Sequence, residues 1–246
     1  MADLRNYQGR VQSGVQTGEI DQGLRSYMLK VYNLMAIGLA ITGLAAYFAF
    51  TFAVSDGQLT AFGAAIYTSP LKWVVIFAPL AMVLFLSFRI NSMSVSAAQT
   101  TFAVYAALVG LSLSSIFLIY TGQSVVQTFF VTAASFGALS LYGYTTRRDL
   151  SAMGSFLMMG LFGLIIASIV NIFLASSALG FAISAIGVLI FAGLTAYDTQ
   201  KIKEMYFDGD DVAVAGRKAI MGALTLYLDF INLFTFLLQF LGNRNN

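Results

Sequence analysis

Long apolar runs separated by short polar breaks follow one another along the chain, and a polar segment precedes them all. Residues 1–28, containing RNYQGRVQSGVQTGEIDQG, are rich in Gly, Gln and Ser. A mobile tail is expected there, with a short helix from about Asp21 leading into the apolar region. Seven apolar runs follow, near 31–53, 73–88, 101–120, 125–142, 155–174, 180–199 and 220–241. Each is close to the roughly 20 residues a helix needs to cross a hydrocarbon core. The first is read as an uncleaved helix, because a cleaved leader starts nearer Met1 and has a shorter apolar core. Pro79 should kink the second, since it removes an N–H and crowds the preceding turn. The linkers TGQS (121–124) and ASSALG (175–180) are short enough to force antiparallel neighbours. The organisation expected is a tail over 1–28, a seven-helix transmembrane domain over 29–242 and a polar end over 243–246.

Composition agrees. The 246 residues are 59% hydrophobic and 10% charged, against roughly 25% charged in soluble domains. Mean hydropathy is +0.81. The class is an all-α polytopic membrane protein. Without a cysteine or a histidine, the chain has no thiol nucleophile, disulfide, imidazole-held metal or histidine pH switch. A net charge of +2 is too small to suggest nucleic acid. The placement of the cations says more. With seven spans and the N-terminus in the cytoplasm, all 13 Lys and Arg except Lys72 and Arg244 fall on the cytoplasmic side, as the positive-inside rule asks. The C-terminus then lies on the opposite side, unless the last segment is re-entrant.

Against this background two carboxylates stand out. Asp229 lies about ten residues into the last run, where an ionised Asp costs about 2.5–3.5 kcal/mol to insert. Such residues normally face the bundle interior and mark a pathway, relay or counter-ion. On a helical projection it shares a stripe with Gly222, Thr225, Asn232 and Gln239, a polar face that must meet protein or water rather than lipid. Asp198 ends the sixth run, three residues before Lys201, where a solvated helix end explains it equally well. Ser184, Gly187 and Thr195 fall on its side of the helix and suit close packing. The sixth run passes directly into the seventh, so the two carboxylates can meet if the sixth helix continues through KIKEMY. Two carboxylates in contact resist ionising together and titrate as a unit. Arg89, ending the second run, is the best-placed counter-ion, and an ordinary positive-inside flank accounts for it as well.

Weaker signals read as structure. Gly163, Ala167 and Asn171 give the fifth helix a small-residue packing face. The loop DGDD (208–211) starts like a calcium loop, but no later acid completes the ligand set. Trp73, Tyr120, Tyr142 and Tyr144 suit interfacial anchors.

Two motifs together are specific. AGLTAYDTQKI (192–202) and ALTLYLDFINLFTFLLQFLG (223–242) resemble the Bax inhibitor-1 family, the transmembrane Bax-inhibitor-motif proteins, and FRINSMS (88–94) is similar to that family's second-helix ending. The resemblance runs from about residue 25 to the C-terminus and is closest to the bacterial branch. It implies six helices around a central seventh and a pH-sensitive calcium leak across the membrane. It also implies a pH-sensing, hydrogen-bonded dyad of Asp198 and Asp229, with Arg89 latching the closed state. The lysine-rich tail of eukaryotic relatives is missing, since this chain ends GNRNN, so control of cell death is not carried over.

The function expected is therefore a calcium or cation leak channel gated by the carboxylate dyad. Thr195, Thr225, Asn232 and Gln239 would line its path, and Asp198 and Asp229 would hold Ca²⁺ weakly and transiently. No cofactor is expected beyond Ca²⁺ as permeating ion, and the partners are the lipid bilayer, calcium ions and protons. The location expected is a bacterial inner membrane. A proton-coupled antiporter is the first alternative, because such carriers use similar acids. An intramembrane aspartyl protease would also use paired carboxylates, and Tyr197-Asp198 is similar to its Tyr-Asp pair. Yet LYLDF lacks the Gly-x-Gly-Asp surround, and no Pro-Ala-Leu element follows, so no catalytic residue is assigned. A membrane scaffold or regulator is the remaining alternative.

Overall fold

The structure, a computed structural model, describes residues 3–245, with side chains from Gln22 onward. The helix α1 (Asp3–Ala53) continues from the tail region into the first span. The tail expected over 1–28 therefore falls mostly outside the residues whose side chains are described. A two-residue hairpin follows, β1 (Val54–Ser55) and β2 (Gln58–Leu59). Its turn, Asp56-Gly57, has φ of 51° and 73°, the left-handed pair for which Asp-Gly is suited. After it come α2 (Ala61–Tyr67), α3 (Leu71–Arg89), a 3₁₀ turn (Ile90–Ser92), α4 (Val95–Leu113), α5 (Ile116–Ile119), α6 (Gly122–Thr145), α7 (Ser151–Leu174), α8 (Ser177–Glu204) and α9 (Val212–Leu241).

Seven stretches are long and apolar enough to span a bilayer, and each expected run matches one of them, the third overrunning its stretch (Val95–Ile119) by one residue. The observed helices are longer because polar turns extend them. α8 reaches Glu204 through KIKE, and α9 starts at Val212, two turns before its apolar run. Side-chain caps set the starts. Ser94, Thr121, Ser176 and Asp211 accept hydrogen bonds from the backbone N–H three residues on, at 3.2, 3.2, 3.3 and 2.7 Å, each satisfying a donor that the first turn leaves free. Asp211 belongs to the DGDD loop, and Asp210 of the same loop pairs with Lys218. That loop therefore starts a helix. α3 runs as one helix through Pro79.

The molecule is an all-α polytopic membrane protein of seven spans with α9 at its centre. The most apolar 18-residue window of α9 is 61% buried, against 6% for that of α7. α9 packs directly on α1, α4, α6 and α8, while α3 rests mainly on α4 and α7 mainly on α8. The six outer spans therefore surround the seventh in two tiers. α9 is unbroken over 30 residues and does not turn back. Its end meets the α5–α6 junction, where Thr121 donates to the Asn243 carbonyl at 3.0 Å and Asn245 to that of Ile119 at 2.8 Å. This is the far end of the bundle from Arg25 and Tyr144, which share a cavity.

Candidate functional site

Close helix crossings bring α8 against its neighbours. At Gly143 of α6 a Cβ would overlap the Ala196 carbonyl oxygen, so the two backbones touch there. Along the α8–α9 contact Ile202 lies over Gly222, Phe236 over Gly187, and Ser184 donates to Gln239 Oε1 at 3.1 Å. These pairs fix an antiparallel register that sets Asp198 about one turn from Asp229, on facing helices.

In that register the two carboxyl groups open onto the same cleft. An ionised carboxylate only accepts, so two of them can bond each other only with a proton on one. Asp229 is 4% exposed, and its Oδ2 is buried without any N–H or hydroxyl partner among the described residues. The cation whose field reaches Asp198 is Lys201, one turn further along α8.

The pair lies on the wall of a cleft of ≈ 520 Å³ bounded by α7, α8 and α9. Thr225 and Asn232 share this wall with Asp198 and Asp229. Thr225 donates to the Met221 carbonyl at 3.1 Å and Asn232 to that of Leu228 at 2.8 Å. Each spends a proton on its own helix and keeps oxygen lone pairs for the cleft. The opposite wall, from Met158 to Ile172 of α7, is apolar apart from Ser168, which donates to the Leu164 carbonyl at 2.7 Å.

Other expected residues stand elsewhere. Gln239 bonds Ser184 in the α8–α9 seam. Thr195 is fully buried, donates to the Phe191 carbonyl at 2.7 Å and is not among the cleft's lining residues. Its hydroxyl bonds within its own helix, away from the cleft. Arg89 is solvent-exposed and makes no ion pair among the described residues. Because α3 rests mainly on α4, the structure does not bring the expected latch arginine to the carboxylates. Among the described residues no third acid joins the pair in a metal-holding group.

What sequence reasoning missed is the work of the other residues in YDTQ. Tyr197 stacks over Gly154 of α7. Thr199 shares a 2.9 Å hydrogen bond with Ser140 of α6, which in turn meets Tyr32 of α1 at 2.7 Å. Gln200 accepts from the Leu150 N–H at 2.9 Å and donates to the Arg148 carbonyl at 2.8 Å, pinning the α6–α7 loop. Four consecutive side chains thus reach four different elements. In the second motif Tyr227 is fully buried and its hydroxyl lies 2.6 Å from that of Thr42 on α1. The only signal for any of this was the density of polar residues inside an apolar run.

A family model described as "Inhibitor of apoptosis-promoting Bax1" matches residues 24–246. The chain belongs to this family, the Bax inhibitor-1 family. Its relatives include a protein of Rickettsia prowazekii, 52% identical over 226 residues, which cover 92% of this chain and 93% of that one. A protein of Caulobacter vibrioides is 48% identical over 234 residues, covering 92% and 91%. The inner membrane protein YbhL of Escherichia coli is 48% identical over 225 residues, covering 90% and 93%. Both family motifs fall within the matched region.

Proposed function

We propose that this Bax inhibitor-1 family member is a pH-sensitive cation leak channel, with Ca²⁺ as the permeating ion, gated by the Asp198–Asp229 pair. The reading rests on one observation: two carboxyls on facing helices line one intramembrane cleft, and Asp229 Oδ2 is buried there with no hydrogen-bond partner among the described residues, so a proton shared between the two carboxyls would satisfy it. While the proton is shared, it ties α8 to α9. Once it is lost, two acceptors face each other. Two unit charges 4 Å apart repel by about 4 kcal/mol at an effective dielectric of 20, and each 1.4 kcal/mol shifts an equilibrium tenfold. Protonation therefore has leverage enough to move the protein between two arrangements of α8 and α9. Two carboxylates with the oxygens of Thr225 and Asn232 fall short of the six to eight ligands calcium prefers. A weak site of this kind lets an ion leave as readily as it enters. The orientation proposed puts the cation-rich end and N-terminus in the cytoplasm of a bacterium and the C-terminus across its inner membrane.

The test is calcium flux into dye-loaded liposomes carrying the purified protein, scanned over pH, with Asp198→Asn and Asp229→Asn alongside. Flux should depend on pH in the wild type, with the dependence lost in both variants. Flux absent at every pH would overturn the leak, and an unchanged midpoint in Asp229→Asn would overturn the dyad. An antiporter would instead follow an opposing proton gradient rather than pH alone.

A further inference from the structure

α1 packs on α4 and α9, and α6 packs on α8 and α9. Between these two antiparallel helices, α1 and α6, the structure leaves two cavities in line. One, of ≈ 680 Å³, is lined by residues including Arg25, Tyr32, Met35, Phe136, Ser140 and Tyr144. The next, of ≈ 650 Å³, runs on past Ala40, Gly43, Ala46, Val126 and Phe129, with Phe230 of α9 at its base. From Arg25 to Ala46 the helical rise is about 31 Å, the full thickness of a bilayer's hydrocarbon core.

The chemistry along this groove is graded. At the cation-rich end stands Arg25, exposed and without an ion-pair partner among the described residues. Lys203 of α8 stands behind the lining residue Tyr144, donating to its carbonyl at 2.8 Å and lying 5.8 Å over its ring. Below them the Tyr32 and Ser140 hydroxyls meet at 2.7 Å. Beyond that point nearly every lining residue is apolar, and among the described residues no acidic side chain lines either cavity. Gly137 on α6 and Gly43 on α1 face open space, where a Cβ would meet nothing within 4 Å.

We propose that this groove holds a phospholipid with an anionic headgroup, its phosphate at Arg25 and an acyl chain laid between α1 and α6. Charge selects this occupant. A basic site between transmembrane helices attracts anionic headgroups, whereas an apolar helix of a second copy would gain nothing from Arg25. The bilayer supplies the lipid at the height where the cations stand.

Native mass spectrometry of the full chain in mild detergent tests this, with equal phosphatidylglycerol and phosphatidylcholine added. The wild type should retain phosphatidylglycerol over phosphatidylcholine by about fivefold per engaged cation. Arg25→Gln should cut that preference at least about threefold while total bound lipid persists. Gly137→Leu fills the groove and should lower total bound lipid. Gly163→Leu places the same bulk into open space on α7 and should leave it unchanged. Equal retention of the two lipids by the wild type would overturn the proposal. So would a Gly137→Leu protein that binds as much lipid as Gly163→Leu, or a dimer that only Gly137→Leu abolishes.

Discussion

Lys201 stands one helical turn beyond Asp198 on α8, close enough for its charge to act on that carboxyl. Arg89 is exposed at the end of a helix that rests mainly on α4. Replacing Lys201 by Gln should shift the pH midpoint of liposome flux, because removing a nearby positive charge favours the protonated pair and moves the midpoint to higher pH. Arg89→Gln should leave the midpoint within experimental error. The opposite ranking would restore the arginine latch.

The Tyr227 hydroxyl meets Thr42 Oγ1 at 2.6 Å, and Thr42 lies 2.9 Å from the Ala106 carbonyl. Three helices are joined at this one point in the bundle. Tyr227→Phe removes one buried hydrogen bond and should cost about 1 kcal/mol. Thr42→Val should cost more, about 1–3 kcal/mol, because it strands the Tyr227 hydroxyl in an apolar interior. Unfolding in a detergent titration would measure both, and equal losses would refute this ordering.

Two glycines on α6 make a matched pair. A Cβ at Gly143 would run into the Ala196 backbone, whereas one at Gly137 would enter open space. Gly143→Ala should destabilise by about 1–3 kcal/mol through overpacking. Gly137→Ala should be neutral or gain up to about 1 kcal/mol from the better helix former. Thermal unfolding in detergent separates the two.

Gln200 holds the α6–α7 loop by both ends of its amide. In Gln200→Ala the Leu150 N–H and Arg148 carbonyl lose their partner, and the loop should open locally more often. Trypsin cleavage after Arg147 and Arg148 should accelerate about threefold or more, if the loss of about 1 kcal/mol per bond is expressed there. An unchanged rate would mean that other contacts hold the loop.

Much of this architecture was legible without coordinates. The seven spans show because hydrocarbon excludes unpaired backbone groups and charge, so each crossing must be a long apolar helix. The expense of a carboxylate at mid-membrane marked Asp229 for the same reason. Helix ends were less legible. KIKE and the turns ahead of Ile220 are polar, and only local caps such as Asp211 show where such helices start. The hairpin at Asp56-Gly57 and the short α2 were missed between two louder apolar signals.

The sequence by itself determined which segments enter the membrane, how the cations divide between its sides, and which polar residues are costly enough to need a partner. Tertiary structure alone decided who those partners are. Asp198 comes to face Asp229 because Gly187 and Gly222 let α8 and α9 fit together in one antiparallel register. Thr195 and Gln239 share a helix with the aspartates but turn into packed seams, while Thr225 and Asn232 open onto the cleft. Arg89 stays outside for the same reason. Hydrophobicity states only that a face is buried, and inside a bilayer nearly every face is apolar. The pairing of faces is therefore settled by the close fit of small residues and by hydrogen bonds between helices.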